Sequence, residues 1–203
     1  MNVNALTALL RTNDLGIDAR RSLTAAQIGQ ASRWQHRTEP LAIATAREEA
    51  VRLARRILDL EDALTVNHAR LSELITASPA APLLEETGIG AYTAAVVITA
   101  WSHPGRVRND AAFAALAGVN PIPASSGNTT RHRLNRGGDR RLNKALHYIA
   151  ITRMSRHTGT KAYLEKRLAE GRSRREIRRC IKRYLARHLY RTLNTLYAAP
   201  ETS

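Results

Sequence analysis

Apolar residues recur at helical spacing along most of this chain. From Thr45 to about Ala77, Ala46, Ala50, Leu53, Ile57, Leu60, Leu64, Asn67, Leu71 and Leu74 are spaced alternately four and three apart. That is a heptad seam held over about four repeats. It predicts a long helix with a coiled-coil face, opened by Thr45 and Glu48 as a capping box. Asn67 is the one polar member of the seam, a residue type that fixes register or partner number. Before it, residues 1–39 show only short helical pieces, among them TAAQIGQAS, where Thr24 and Gln27 form a capping box. Glu39-Pro40 then interrupts the pattern.

After the linker Ser78-Pro79-Ala80-Ala81-Pro82 the period stays helical but the pieces shorten. LLEETGIGAYTAAVVITAW predicts helix, tight turn, helix. Asn109 or Asp110 caps AAFAALA, which Gly118 ends. Asp139 caps a helix to about Arg156 with Leu142, Leu146, Ile149 and Arg153/Met154 inward. KAYLEKRLAE stops at Gly171. Ser173 and Glu176 open a last helix to about Leu196, with Ile177, Ile181, Tyr184, Leu185, Leu189 and Leu193 inward. No segment alternates with period two. The expected class is all-α: a remnant or linker segment at 1–39, a long helix at 40–78, and a compact helical domain at 79–203.

Composition sharpens this picture. Alanine and leucine dominate the apolar set and only 4% of residues are aromatic, which favours helices over sheets. One cysteine, Cys180, excludes an internal disulfide and fits a reducing cytoplasm. The N-terminus does not resemble a signal peptide, and the longest apolar run, Ala91–Trp101, is shorter than the roughly 20 residues needed to span a bilayer. No Cys/His spacing suggests a metal. A soluble cytoplasmic protein is expected.

The charge is uneven. The net charge is +15, yet residues 1–100 carry −1 and residues 101–203 carry +16. A polyanion is the expected partner of the second half. The last helix holds Arg172, Arg174, Arg175, Arg178, Arg179, Lys182, Arg183, Arg187 and Arg191 against one acid of its own, Glu176. Rows of arginine track backbone phosphates rather than bases. Gly88-Ile89-Gly90 between two apolar stretches resembles the turn of a helix–hairpin–helix DNA-binding module. There, glycines let a phosphate approach the amides that open the second helix.

The loop PIPASSGNTTRHRLNRGGDRR, residues 121–141, sets Ser125 and Ser126 beside Arg131, His132, Arg133, Arg136, Arg140 and Arg141. By itself it reads as a flexible basic loop. It also fits a nucleophile beside a phosphodiester whose charge the arginines stabilise. It carries no evident base or metal cluster of its own, and His132 is only a candidate base.

In order, Gly88-Ile89-Gly90, FAALAGVNP at 113–121, Ser126-Gly127, and NRGGDRRL at 135–142 resemble the C-terminal half of the bridge-RNA-guided insertion-sequence transposases of the 110/1111 family. The resemblance covers roughly residues 40–196. It implies a nucleophilic serine before a glycine, here Ser126 with Ser125 as the fallback. It also implies a RuvC-like domain elsewhere that holds magnesium, a coiled coil joining copies of the chain, and a guide RNA as a further partner. The nucleic-acid-binding set is then Gly88, Gly90, Arg131, Arg133, Arg136, Arg140, Arg141, Arg174, Arg175, Arg178, Arg179 and Lys182. With only Asp14, Asp18 and Glu39 as acids in the first 39 residues, the chain is expected to be a truncated or split copy, with no cofactor of its own and chemistry only when a RuvC-like domain completes it. The rival readings are a non-catalytic helix–hairpin–helix DNA-binding module and a basic RNA-binding structural protein.

Overall fold

The computed structural model describes residues 2–123, 132–135 and 137–198. The chain forms two compact units, Met1–Ala69 and Arg70–Ser203.

In the first unit α1 (Asn2–Thr12) and α2 (Ala25–Ser32) share a core with the first half of α3 (Leu41–Thr76). Leu6 and Leu10, one helical turn apart, are buried with Leu15, Ile17, Ile28 and Ala31 against Ala46, Ala50, Leu53, Ala54 and Ile57. Residues 1–39, read from sequence as a remnant or linker, therefore build part of a core. The two apolar turns of α1 are too short to register as an element alone; α3 supplies the surface that stabilises them. Thr24 forms its capping box with Gln27. Arg47 is buried, 2.6 Å from Glu39, with its guanidinium 5.0 Å from the centre of the Trp34 ring. The hydrogen bond from Arg47 holds the Glu39 carboxyl below its ordinary range.

Helix α3 starts four residues before the sequence-based expectation. Pro40 supplies the first carbonyl, accepting from the amides of Ile43 and Ala44, and proline's fixed φ suits a helix entrance. Thr45 is thus already inside the helix, where its hydroxyl donates to the Leu41 carbonyl instead of capping. The heptad seam is divided in its use. Ala46, Ala50, Leu53 and Ile57 are buried within the unit, whereas Leu60, Leu64 and Leu74 are exposed, and every residue from 59 to 70 is exposed.

The second unit holds a short 3-10 helix (Ala81–Glu85), α4 (Ala91–Trp101), α5 (Asp110–Leu116), α6 (Arg140–Arg156), α7 (Thr158–Ala169) and α8 (Arg174–Leu196). The first arm of the expected helical pair is the 3-10 turn, with Pro82 at its entrance. Trp101, Phe113, Leu83, Leu142, Leu146, Ile149, Ile177, Leu189 and Leu193 are fully buried together. Asn109, Asp139 and Ser173 cap α5, α6 and α8. Helix α7 begins before Lys161 because the His157 side chain accepts from the Thr160 amide as a cap. Tyr184, expected inward, is half exposed, with the Arg183 guanidinium 5.7 Å from its ring centre.

The fold is all-α, with eight α-helices among the described residues. A small antiparallel ladder accompanies them, β1 (Pro121–Pro123) paired with β2 (His132–Leu134). Three-residue strands containing two prolines carry no period-two signal. No helix among the described residues is long and apolar enough to cross a membrane.

Candidate nucleic-acid interface

The centre of the second unit's cationic region is a junction where the end of α5 meets the start of α6. Helix α5 ends in a Schellman closure: the Val119 amide donates to the Ala114 carbonyl and the Gly118 amide to that of Ala115. Gly118 has φ +64° and Gly138 has φ +110°, and their backbones touch. A Cβ on Gly138 would lie 2.7 Å from the Leu116 oxygen and 2.8 Å from the Gly118 nitrogen. A Cβ on Gly118 would lie 2.7 Å from the Gly137 oxygen. Only two glycines allow this approach.

Backbone and side-chain groups of the second segment bond the end of α5 and the residues just after it. The Asp139 amide donates to Leu116 at 2.7 Å, Asn143 Nδ2 to Ala117 at 2.7 Å, and Asn135 Nδ2 to Asn120 Oδ1 at 2.7 Å. Asn135 Oδ1 accepts from the Gly137 amide. Asp139 Oδ1 accepts from the amides of Arg141 and Leu142, which starts α6. FAALAGVNP and the NRGGDRRLN that follows it are thus two halves of one backbone junction.

The β1–β2 ladder brackets residues 124–131, and Pro121, paired with Leu134, stands at its base. Ser125, Ser126, Arg131 and Arg136 lie outside the described residues. Arg133 belongs to β2 by its backbone. Pro121 and Asn135 also line a cavity of about 320 Å3 bounded by Gly118, Gly138, Asn143 and α8.

Four cations line that cavity, Arg140 and Arg179 with exposed side chains, Arg183 half-buried, and Lys182 at 9% exposure. Lys182, expected on the phosphate-tracking face of α8, faces inward instead. Its Nζ donates to Asn143 Oδ1 at 2.6 Å. Burial, reinforced by the charge of Arg178, lowers its pKa to about 8. Burial and the charges of Arg178 and Lys182 likewise push His147 below the usual imidazole value. Among the described residues no carboxylate pairs with Arg140, Arg141, Arg174, Arg175, Arg178 or Arg179. Arg141, Arg174 and Arg175 are exposed and Arg178 is half-buried.

Other α8 cations are committed. Arg187 and Arg191 approach Asp110 at 3.2 and 4.0 Å. Counting acids on α8 alone therefore understates the compensation, because Asp110 comes from α5 and Glu86 from the turn before α4. Glu86 pairs with Arg153 and accepts from His188 Nε2 at 3.0 Å. Burial opposes the charge on Glu86. The His188 hydrogen bond and the charges of His188 and Arg153 outweigh it and hold the carboxyl below its ordinary range. Arg153 also donates to the Thr87 carbonyl at 2.9 Å. This brace seats the turn on α6, where Gly88, at φ +89°, leaves a Cβ only 3.0 Å from the Ile149 oxygen. Gly90 is different: it is exposed, with open space where a Cβ would stand, and it caps α4. The two glycines thus face different surroundings.

Asn143 and His147 carried no sequence expectation, although an asparagine inside an otherwise well-patterned helix signals a side chain with a specific partner. Among the described residues no three His, Cys, Asp or Glu side chains converge. Asp139, the one carboxylate on the cavity, already serves the α6 amides, so these residues do not assemble a magnesium site.

An all-α domain with a small cavity whose arginines form no ion pair among the described residues is the class that fold and site define. Residues 80–165 match the model of the Transposase IS116/IS110/IS902 family. A stretch of 107 residues is 29% identical to an insertion element IS110 uncharacterized 43.6 kDa protein of Streptomyces coelicolor. That stretch is 52% of this chain and 26% of that protein, so the similarity spans about a quarter of the relative's length.

Proposed function

We propose that this chain supplies the DNA-binding, nucleophile-bearing part of an insertion-sequence transposase. One observation carries the reading. The glycine–asparagine junction holds the β1–β2 ladder, whose strands flank residues 124–131 in sequence, beside a cavity whose arginines form no ion pair among the described residues. A transposase acts on DNA, and such a surface is suited to backbone phosphate. Arg140, Arg141, Arg174, Arg175, Arg178 and Arg179 hold the strand, with Arg131, Arg133 and Arg136 contributed by the loop. Gly90 offers the open start of α4 to a further phosphate, while Gly88 fixes the turn. The exposed part of the α3 seam joins copies of the chain, and a guide RNA is a further partner. The protein works in the bacterial cytoplasm at the nucleoid.

In the chemical step Ser126 Oγ attacks a strand phosphorus. The Oγ–P bond forms, the P–O bond to the leaving 3′ oxygen or 5′ oxygen breaks, and the serine proton passes by way of a base to that leaving oxygen, which departs as a hydroxyl. A RuvC-like domain would hold magnesium, which would stabilise the charge developing on the phosphate oxygens. Supplying such a domain in trans with guide RNA and substrate DNA should give a covalent protein–DNA adduct, detected by gel shift under denaturing conditions and lost in Ser126→Ala. An adduct that persists in that variant refutes the assignment of the nucleophile.

A second reading has its own observation. Gly90 with its open surroundings is what a non-catalytic helix–hairpin–helix module would present, and that reading makes Ser126 dispensable for every activity.

A further inference from the structure

Among the described residues Lys182 is a buried cation with no carboxylate paired to it. Asn143 and His147 of α6 and Arg178 of its own helix surround it, and its one hydrogen bond is to a neutral amide oxygen. Beside it, Arg183 Nε is buried with no hydrogen-bond partner among the described residues. Both side chains line the cavity that Arg140 and Arg179 rim. Desolvated cations normally have a paired anion. Asp139 also lines the cavity, but its Oδ1 accepts from two backbone amides of α6 and no ion pair joins its carboxylate to Lys182 or Arg183 among the described residues.

We propose that this cavity is a binding site for a single phosphate group, with buried Lys182 and half-buried Arg183 as its inner contacts and exposed Arg140 and Arg179 at its rim. An oxyanion there offers acceptors to Lys182 Nζ and to the buried Nε of Arg183 and offsets the positive charge of the cluster. The volume, about 320 Å3, lies within the roughly 300–1,000 Å3 typical of small-ligand pockets and accommodates a phosphate together with an adjoining sugar. That the phosphate belongs to a nucleic-acid strand rests on the function proposed above; the site itself does not.

The chain contains four lysines, Lys144, Lys161, Lys166 and Lys182, so carbon-13 labelling of lysine gives four Cε signals, and Lys182→Met assigns the one of interest. The full chain is titrated with pH alone, with inorganic phosphate, and with a short oligothymidylate lacking terminal phosphates. The expected result is that the oligonucleotide displaces the Lys182 transition to higher pH and leaves Lys144, Lys161 and Lys166 unmoved. Arg183→Gln should weaken oligonucleotide binding about tenfold. If inorganic phosphate moves Lys182 and the oligonucleotide does not, the site takes a free phosphate group. If neither moves it, the proposal is overturned. Oligonucleotide binding that leaves Lys182 unmoved overturns the site while DNA binding stands. A phosphate response without any oligonucleotide binding keeps the site and removes DNA as its source.

Discussion

Lys182 Nζ lies 2.6 Å from Asn143 Oδ1, and Asn143 Nδ2 in turn donates to the Ala117 carbonyl at 2.7 Å. One asparagine therefore ties the buried amine of α8 to the end of α5. The link is neutral, so it satisfies a donor without balancing the charge.

The imbalance should be visible in stability. With a folded pKa of about 8 against an ordinary value of 10.5, Lys182 binds a proton less readily in the folded chain. The unfolded state binds more protons between those values, so stability rises with pH across that window, and the full cost applies below about 8. That cost is about 3 kcal/mol at most. Lys182→Met should stabilise the second unit by about 1–3 kcal/mol at pH 7. The advantage should shrink toward pH 9.5. Urea unfolding of both proteins at several pH values measures it, and a less stable variant at pH 7 would contradict the analysis.

The Gly118–Gly138 contact makes a sharper steric prediction. Gly138→Ala drives a methyl group into the Leu116 oxygen and the Gly118 nitrogen, and it does so at a positive φ. Neither neighbour is a flexible side chain. A loss of about 2 kcal/mol or more is expected. Gly90→Ala, at φ −109° with nothing near the added carbon, should stay within about 0.5 kcal/mol of the parent. Equal losses in the two variants would mean that backbone approach is not what selects glycine at 138.

Glu86 gives an acid-side counterpart. Its folded pKa is lowered, so the stability it contributes is present above the ordinary carboxylate value and is lost as pH falls through the folded one. Glu86→Gln leaves Arg153 and His188 without their acceptor charge and should cost about 1–3 kcal/mol at neutral pH. The difference between parent and variant should narrow as the solution is acidified below the ordinary carboxylate range. A difference that is constant with pH would show that shape, not charge, matters at this brace.

DNA binding should depend steeply on salt if the cationic surface holds a strand. Removing Arg174 or Arg175, exposed and unneutralised, should weaken binding uniformly across sequences and reduce the slope of log K against log salt by about one for each phosphate left unneutralised. Arg191→Ala should change the slope less, because Arg191 lies beside Asp110. Fluorescence anisotropy at several salt concentrations measures both, and a flat response in the parent would remove backbone contact as the mode of binding.

The caps of α2, α6 and α8 were legible because each depends on local chemistry, whereas Thr45 does not cap α3 and the His157 cap of α7 was missed. Asp139, Ser173 and Thr24 announce their helices within four residues, and the ends of α6 and α8 fall where periodicity places them. What escaped was decided by partners distant in sequence. Lys182 carries the same signature as its exposed neighbours, and only Asn143, 39 positions away, shows that it faces inward. Asp110 and Glu86 neutralise α8 residues from 77 and 102 positions away, beyond any count made along one helix. The motif NRGGDRRL was visible as a string, but its purpose, satisfying the last carbonyls of α5, required the fold.

The division of the α3 seam leads to the last prediction. Ile57 and Leu64 occupy equivalent heptad positions in sequence, yet Ile57 is buried in the first unit's core and Leu64 is exposed. Ile57→Asp should therefore unfold the first unit whatever the oligomeric state, since a carboxylate there is buried without a partner. Leu60→Asp and Leu64→Asp place the charge on solvent-facing helix and should preserve the circular-dichroism melt of a monomer. If the exposed part of the seam joins copies of the chain, both variants should lower the mass measured by sedimentation equilibrium, because a carboxylate in a heptad seam opposes knobs-into-holes packing. A parent chain that already sediments as a monomer at high concentration would exclude self-association through this helix and leave its apolar row to some other surface.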